Sequence, residues 1–70
     1  MIKFDALRIA REKIGMSQQE LAMASGISQD NISRYETGIH CPTLRSMKRL
    51  ADAMDLELYI EFREKHERNS

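Results

Sequence analysis

The sequence predicts an all-α domain of four helices followed by a short C-terminal β-strand. Three observations carry this reading. Apolar residues recur at helical spacing from Phe4 to Met54. Cap residues and glycines interrupt that pattern at short intervals. From Leu56 onward the apolar period drops to two. A chain of 70 residues is expected to form one domain with a small core, and a single cysteine excludes an internal disulfide framework.

The first helix is expected over residues 4–14, where Phe4, Leu7, Ala10, Arg11 and Ile14 share helical spacing and Gly15 stops the run. Met16 then packs under the next helix. Ser17 and Glu20 have capping-box spacing, which starts a helix over about residues 18–24. Gly26 stands where the chain must turn sharply, because a residue without Cβ takes positive φ easily. Ser28 is the next N-cap, opening a helix to about residue 36 that Gly38 ends. Leu21, Ala22, Ile27, Ile32 and Tyr35 are spaced to meet inside the corner. Gln29, Asp30, Ser33 and Arg34 project outward. After a loop over residues 37–42, Pro42 and Thr43 mark the start of a fourth helix. Its face of Leu44, Met47, Leu50, Ala51 and Met54 closes the core.

Residues 56–62 alternate: Leu56, Leu58, Ile60 and Phe62 against Glu57, Tyr59, Glu61 and Arg63. Strand is the favoured reading of this stretch, and a fifth helix is the alternative. A lone strand needs a partner for its backbone groups and cover for its apolar face. The chain offers no second strand, so the simplest partner is the same strand of a second copy across a two-fold axis. Leu58, Ile60 and Phe62 are the expected dimer contacts. The organisation expected is thus residues 1–56 as the main domain, 57–63 as a dimerising strand and 64–70 as a disordered tail.

Two helices joined by a tight turn form a helix-turn-helix pattern. The stretch resembles the phage-repressor (Cro-type) helix-turn-helix family of DNA-binding regulators. The resemblance rests on Gly15-Met16-Ser17-Gln18-Gln19-Glu20-Leu21-Ala22, Gly26-Ile27-Ser28, Ile32-Ser33-Arg34-Tyr35-Glu36-Thr37-Gly38 and Pro42-Thr43-Leu44, in order over residues 4–56. It implies a repressor-like domain whose second motif helix enters the major groove. By resemblance, Ser28, Gln29, Asp30 and Arg34 match base-reading positions, and Gln18 matches a phosphate contact. The resemblance also implies a salt bridge between Arg11 and Glu36. The family often carries a neutral or basic residue where this chain has Asp30. In chemical terms, Gln29 suits adenine, Arg34 suits guanine or a phosphate, and Asp30 can accept from cytosine N4. Asn31 faces bases or flanks them, and Thr37, Thr43 and Arg45 would meet the flanking backbone.

Net charge is zero, which argues mildly against nucleic acid. Its distribution is more informative: residues 1–54 carry eight Lys/Arg against six acids, and residues 55–70 carry three against five. Tight binding would depend on directed contacts and dimerisation rather than bulk attraction. Enzyme readings do poorly, since the chain has no phosphate-cradling glycine loop and no nucleophile elbow. His40-Cys41 is too small a ligand set for a metal, so no metal or cofactor is expected. No apolar run is long enough to cross a membrane and no signal-peptide pattern is present, which fits a cytoplasmic protein.

The expected function is sequence-specific binding of double-stranded DNA at a palindromic operator by a homodimer, regulating transcription as a repressor. Two other classes remain open. One is an antitoxin-type module that binds DNA and a protein toxin or other protein partner. The other is a protein-interaction module without DNA binding.

Overall fold

The computed structural model describes residues 6–60, which form four helices. Helix α1 is Ala6–Lys13, α2 is Gln18–Ser25, α3 is Gln29–Thr37 and α4 is Leu44–Ala53. The all-α expectation therefore holds, with boundaries within a residue or two of those read from caps and spacing. Thr37 closes α3 rather than opening the loop after it.

The starts of α2, α3 and α4 each have their expected local cause. The Ser17 hydroxyl accepts from the Glu20 backbone N–H at 3.0 Å, and the Glu20 carboxylate accepts from the Ser17 N–H at 2.8 Å. The Ser28 hydroxyl accepts from the Asn31 N–H at 3.1 Å, and the Thr43 hydroxyl accepts from the Ser46 N–H at 3.1 Å. The buried Pro42 fixes the approach to α4.

The turn between α2 and α3 is the tightest point of the motif. Gly26 takes a φ of 75°, and its N–H donates to the Ala22 carbonyl at 2.9 Å. A Cβ at this position would come within 2.7 Å of Arg49 Nη2. That guanidinium reaches over from α4 and donates to the Ser25 carbonyl at 3.0 Å. The buried Ser25 hydroxyl accepts from the Ile27 N–H at 3.1 Å, so the turn is held from both sides.

The core is formed by Leu7, Leu21, Ile27, Ile32, Leu50 and Met54, with Ala10, Met16, Ala22 and Tyr35 packed against it. Leu21 and Ile32 are fully enclosed, and burial of such side chains contributes about 1.5–3 kcal/mol each. Of the expected α4 face, Leu50 and Met54 join this core, Ala51 is buried beside them, Met47 is half-buried and Leu44 is outside. Leu44 is 60% exposed, because it opens the first turn of α4, beyond the edge of the core.

The C-terminal strand expected over residues 57–63 does not appear in its described part, residues 57–60. Among the described residues there is no strand, and residues 56–60 form neither a β-ladder nor a fifth helix. The physical reason is the one that made a partner necessary: a single chain has no strand to complete the ladder. Helix α4 instead ends with Asp55 at a positive φ of 58°, and the Leu56 N–H turns back to the Ala51 carbonyl at 2.9 Å. The chain then runs beside α1 and α4, where Leu56, Leu58 and Ile60 line an open apolar groove with Leu7, Ala10, Met47, Leu50 and Met54. All five residues of this stretch are exposed, Leu56 and Leu58 least at 39% and 37%, Ile60 at 56% and Tyr59 most at 80%. Phe4, Phe62 and the tail expected at 64–70 lie outside the described residues.

Candidate nucleic-acid interface

Helix α3 divides cleanly into two faces. At about 100° per residue, Gln29, Asp30, Ser33, Arg34 and Thr37 fall within an arc of about 140°. Ile32 and Tyr35 lie on the other side, against the body of the domain, and the buried Glu36 borders the outward arc next to Gln29. Gln29, Asp30, Asn31 and Arg34 are exposed, and among the described residues their side chains make no hydrogen bond or ion pair. Ser28 is also exposed, with its hydroxyl oxygen committed to the cap.

Two further elements meet the ends of this helix. At its C-terminal end, the Thr37 hydroxyl donates to the Ser33 and Arg34 carbonyls at 3.0 and 3.3 Å. The Ile39 and His40 N–H groups donate to the same Arg34 carbonyl at 2.9 and 3.2 Å. This fixes the loop leading to Thr43 and Arg45, both exposed at the start of α4. Thr43 gives its own hydroxyl proton to Ser46 Oγ at 3.1 Å, so the one donor of its side chain is already used.

The interior end of α3 carries the most specific chemistry in the domain. Glu36 has only 3% of its side chain exposed, and Arg11 has 11%. The Arg11 guanidinium clamps the carboxylate with Nε on Oε2 at 2.7 Å and Nη2 on Oε1 at 3.0 Å. Its remaining arm, Nη1, donates to the Met16 carbonyl at 2.8 Å. The Gln18 amide Nε2 donates to Glu36 Oε1 at 3.0 Å. One carboxylate thus joins the end of α1, the start of α2 and the end of α3. Burial pushes the Glu36 carboxyl up, but the bonds from Arg11 and Gln18 outweigh it and leave the group below its ordinary value. The same pairing raises the Arg11 guanidinium.

Sequence reasoning paired Arg11 with Glu36 through the family resemblance. It gave Gln18 only an outward role, whereas its amide is turned to Glu36. The Arg49 bond over Gly26 was missed, because nothing local to residue 49 distinguishes it from a surface charge. Leu58 and Ile60 border the groove on α1 and α4.

The arrangement of α2, a glycine turn and an outward-facing α3 now stands beside known proteins. The helix-turn-helix family model matches residues 7–60. The chain belongs to the helix-turn-helix family. It is the Cro-type family its motifs resemble. The chain is 46% identical over 54 residues to a Sinorhizobium fredii protein named as an uncharacterized HTH-type transcriptional regulator, y4dL, covering 77% of this chain and 28% of that protein. It is 32% identical over 53 residues to the HTH-type transcriptional regulator SlrR of Bacillus subtilis, covering 74% of this chain and 35% of that one. The chain therefore spans about a third of the length of these curated relatives. No solved structure matches it. No helix among the described residues is long and apolar enough to cross a membrane.

The buried pair makes a stability prediction. Glu36→Ala strands the Arg11 guanidinium and should lower unfolding free energy by about 3–5 kcal/mol, enough to unfold much of a domain this small. The apolar pair Arg11→Met with Glu36→Leu should stay close to the parent, within about 1–2 kcal/mol. Because the folded state holds the Glu36 proton more weakly than the unfolded chain does, its stabilisation is complete above the ordinary carboxyl value of 4.5 and is lost as pH falls through the lower folded value. Urea melts across that window should show an acid step in the parent that shrinks in the apolar pair.

Proposed function

We propose that this helix-turn-helix domain binds duplex DNA as a homodimer at a two-fold-related operator and represses transcription by occlusion. The observation that carries the reading is the outward face of α3, whose Gln29, Asp30 and Arg34 are exposed and unengaged while its inner face is locked to the core. A helix so presented suits the major groove, where base edges offer distinct donor and acceptor patterns. Its family membership and its likeness to two proteins named as transcriptional regulators support the same reading.

In this reading Gln29 reads adenine and Arg34 reads guanine, Asp30 accepts from cytosine N4, and Ser28 and Asn31 flank those contacts. Gln18 and Arg45 hold the sugar-phosphate backbone, and Thr37 and Thr43 join them by turning their hydroxyl protons from the Ser33 and Arg34 carbonyls and from Ser46 to a phosphate. The neutral net charge leaves little non-specific attraction to add, so affinity rests on these directed contacts and on the joining of two domains. The second copy is recruited through the segment carrying Leu58, Ile60 and Phe62, whose backbone completes a strand pair only when a partner strand is present. Leu58 and Ile60 already stand beside an apolar groove that such pairing would cover. The location is proposed to be the cytoplasm, where the chromosome of a bacterial host would be reached.

Two measurements test the two halves of this reading. Arg34→Ala should cost about 1–3 kcal/mol against a bound duplex and relax discrimination at one base pair, read on a panel of single-base variants. Unchanged affinity and unchanged base preference would remove Arg34 from the reading set. Ile60→Lys should shift sedimentation towards monomer and weaken operator binding together. A dimer indifferent to that substitution would refute the interface.

A further inference from the structure

The Gln18 amide is not free to choose its orientation. Its Nε2 lies 3.0 Å from Glu36 Oε1, and an ionised carboxylate only accepts hydrogen bonds. The amide nitrogen must therefore face Glu36, and the flipped rotamer, with oxygen against oxygen, is excluded. Nε2 carries two protons, and the bond to Glu36 uses one. The other is left on a group at the start of α2, beside the free N–H groups and positive end of that helix. The Glu36 charge does not repel an anion there, because Arg11 clamps it with two bonds at 2.7 and 3.0 Å.

We infer that Glu36 is a positioning residue for DNA binding: held and neutralised by Arg11, it locks the Gln18 amide with its second N–H presented to a backbone phosphate. This rests on the proposed phosphate role of Gln18 and adds what makes that role effective. A glutamine without the lock spends part of its time with the carbonyl outward, which a phosphate oxygen repels, and its freedom must be lost on binding. Glu36 removes both costs before DNA arrives. The ion pair then has a function separate from stability, since its carboxylate orients a contact on a different helix.

A coupling measurement tests this. The effect of Gln18→Ala on affinity for a fixed mixed-sequence duplex at low salt is compared in two backgrounds, the parent chain and the Arg11→Met, Glu36→Leu pair, each first shown to be folded by circular dichroism. A hydrogen bond to a charged group corresponds to about tenfold in affinity, so Gln18→Ala should weaken the parent by about that much. In the background without the carboxylate the same substitution should weaken binding by less than about threefold. If the apolar pair does not fold, Glu36→Asp takes its place: it keeps the charge on Arg11 but draws the carboxylate back from Gln18. An equal loss in both backgrounds overturns the positioning role while leaving the phosphate contact intact. No loss in the parent overturns the phosphate contact itself, and the positioning role with it. A readout independent of affinity is the Gln18 side-chain amide in nitrogen–proton spectra. Its proton shift should follow the Glu36 carboxyl through its acid titration, and a shift insensitive to that titration counts against the lock.

Discussion

The structure depends on one buried carboxylate. Glu36 sits at the end of α3 with almost no exposed surface, and it accepts three hydrogen bonds from residues on two other helices. Arg11 in turn reaches past it to the Met16 carbonyl, which ties down the turn between α1 and α2. Three helix ends are therefore referred to a single point. Such a pair adds little net stability over a well-packed apolar replacement, because two charges have been taken out of water. What it supplies is geometry. The core of Leu21, Ile32 and Leu50 sets the inner face of α3 by packing alone, which does not pin a polar atom to a polar partner. The bidentate clamp does, and it fixes which residues of α3 face outward.

That constraint matters more here because bulk charge offers so little. The excess of basic residues over residues 1–54 is offset by acids over residues 55–70. On the proposed reading, affinity must come from contacts at fixed positions, and fixed positions need a rigid support. The domain has several such supports. Arg49 holds the turn at Gly26, the Arg34 carbonyl gathers the loop after α3, and each of the last three helices begins at a cap that uses its hydroxyl. Asp30 also finds a structural account. It lies in the first turn of α3, where a carboxylate meets the positive end of the helix, an arrangement worth about 0.3–1 kcal/mol. The same position leaves it exposed beside Gln29, so a helix role and a base contact are compatible.

The helices were legible in the sequence because their signals are local. Ser17 with Glu20, Ser28, Thr43, Gly26 and Gly38 act within four residues of themselves, and each did what its chemistry demands. The core was legible because Leu7, Leu21, Ile32 and Leu50 keep helical spacing over the whole domain. Long-range side-chain bonds were not, apart from the Arg11–Glu36 pair that the family resemblance implied. Nothing near Arg49 indicates that it reaches the Ser25 carbonyl, and nothing near Gln18 indicates that its amide turns inward. Leu44 shows the limit of periodicity, which assigns a face but not how far along the helix the core extends. At residues 56–60 the period of two described the alternation of residue types but not a ladder. Alternation is a property of the chain, whereas pairing is a property of two strands.

The central claim is that paired α3 faces read a two-fold-related DNA site. Selection of bound sequences from a random duplex pool by the full chain tests it most directly. The account predicts enrichment of a palindrome whose half-site centres lie about 34 Å, or a multiple of that, apart. Recovery of no enriched sequence, or of a single unpaired half-site, would contradict it.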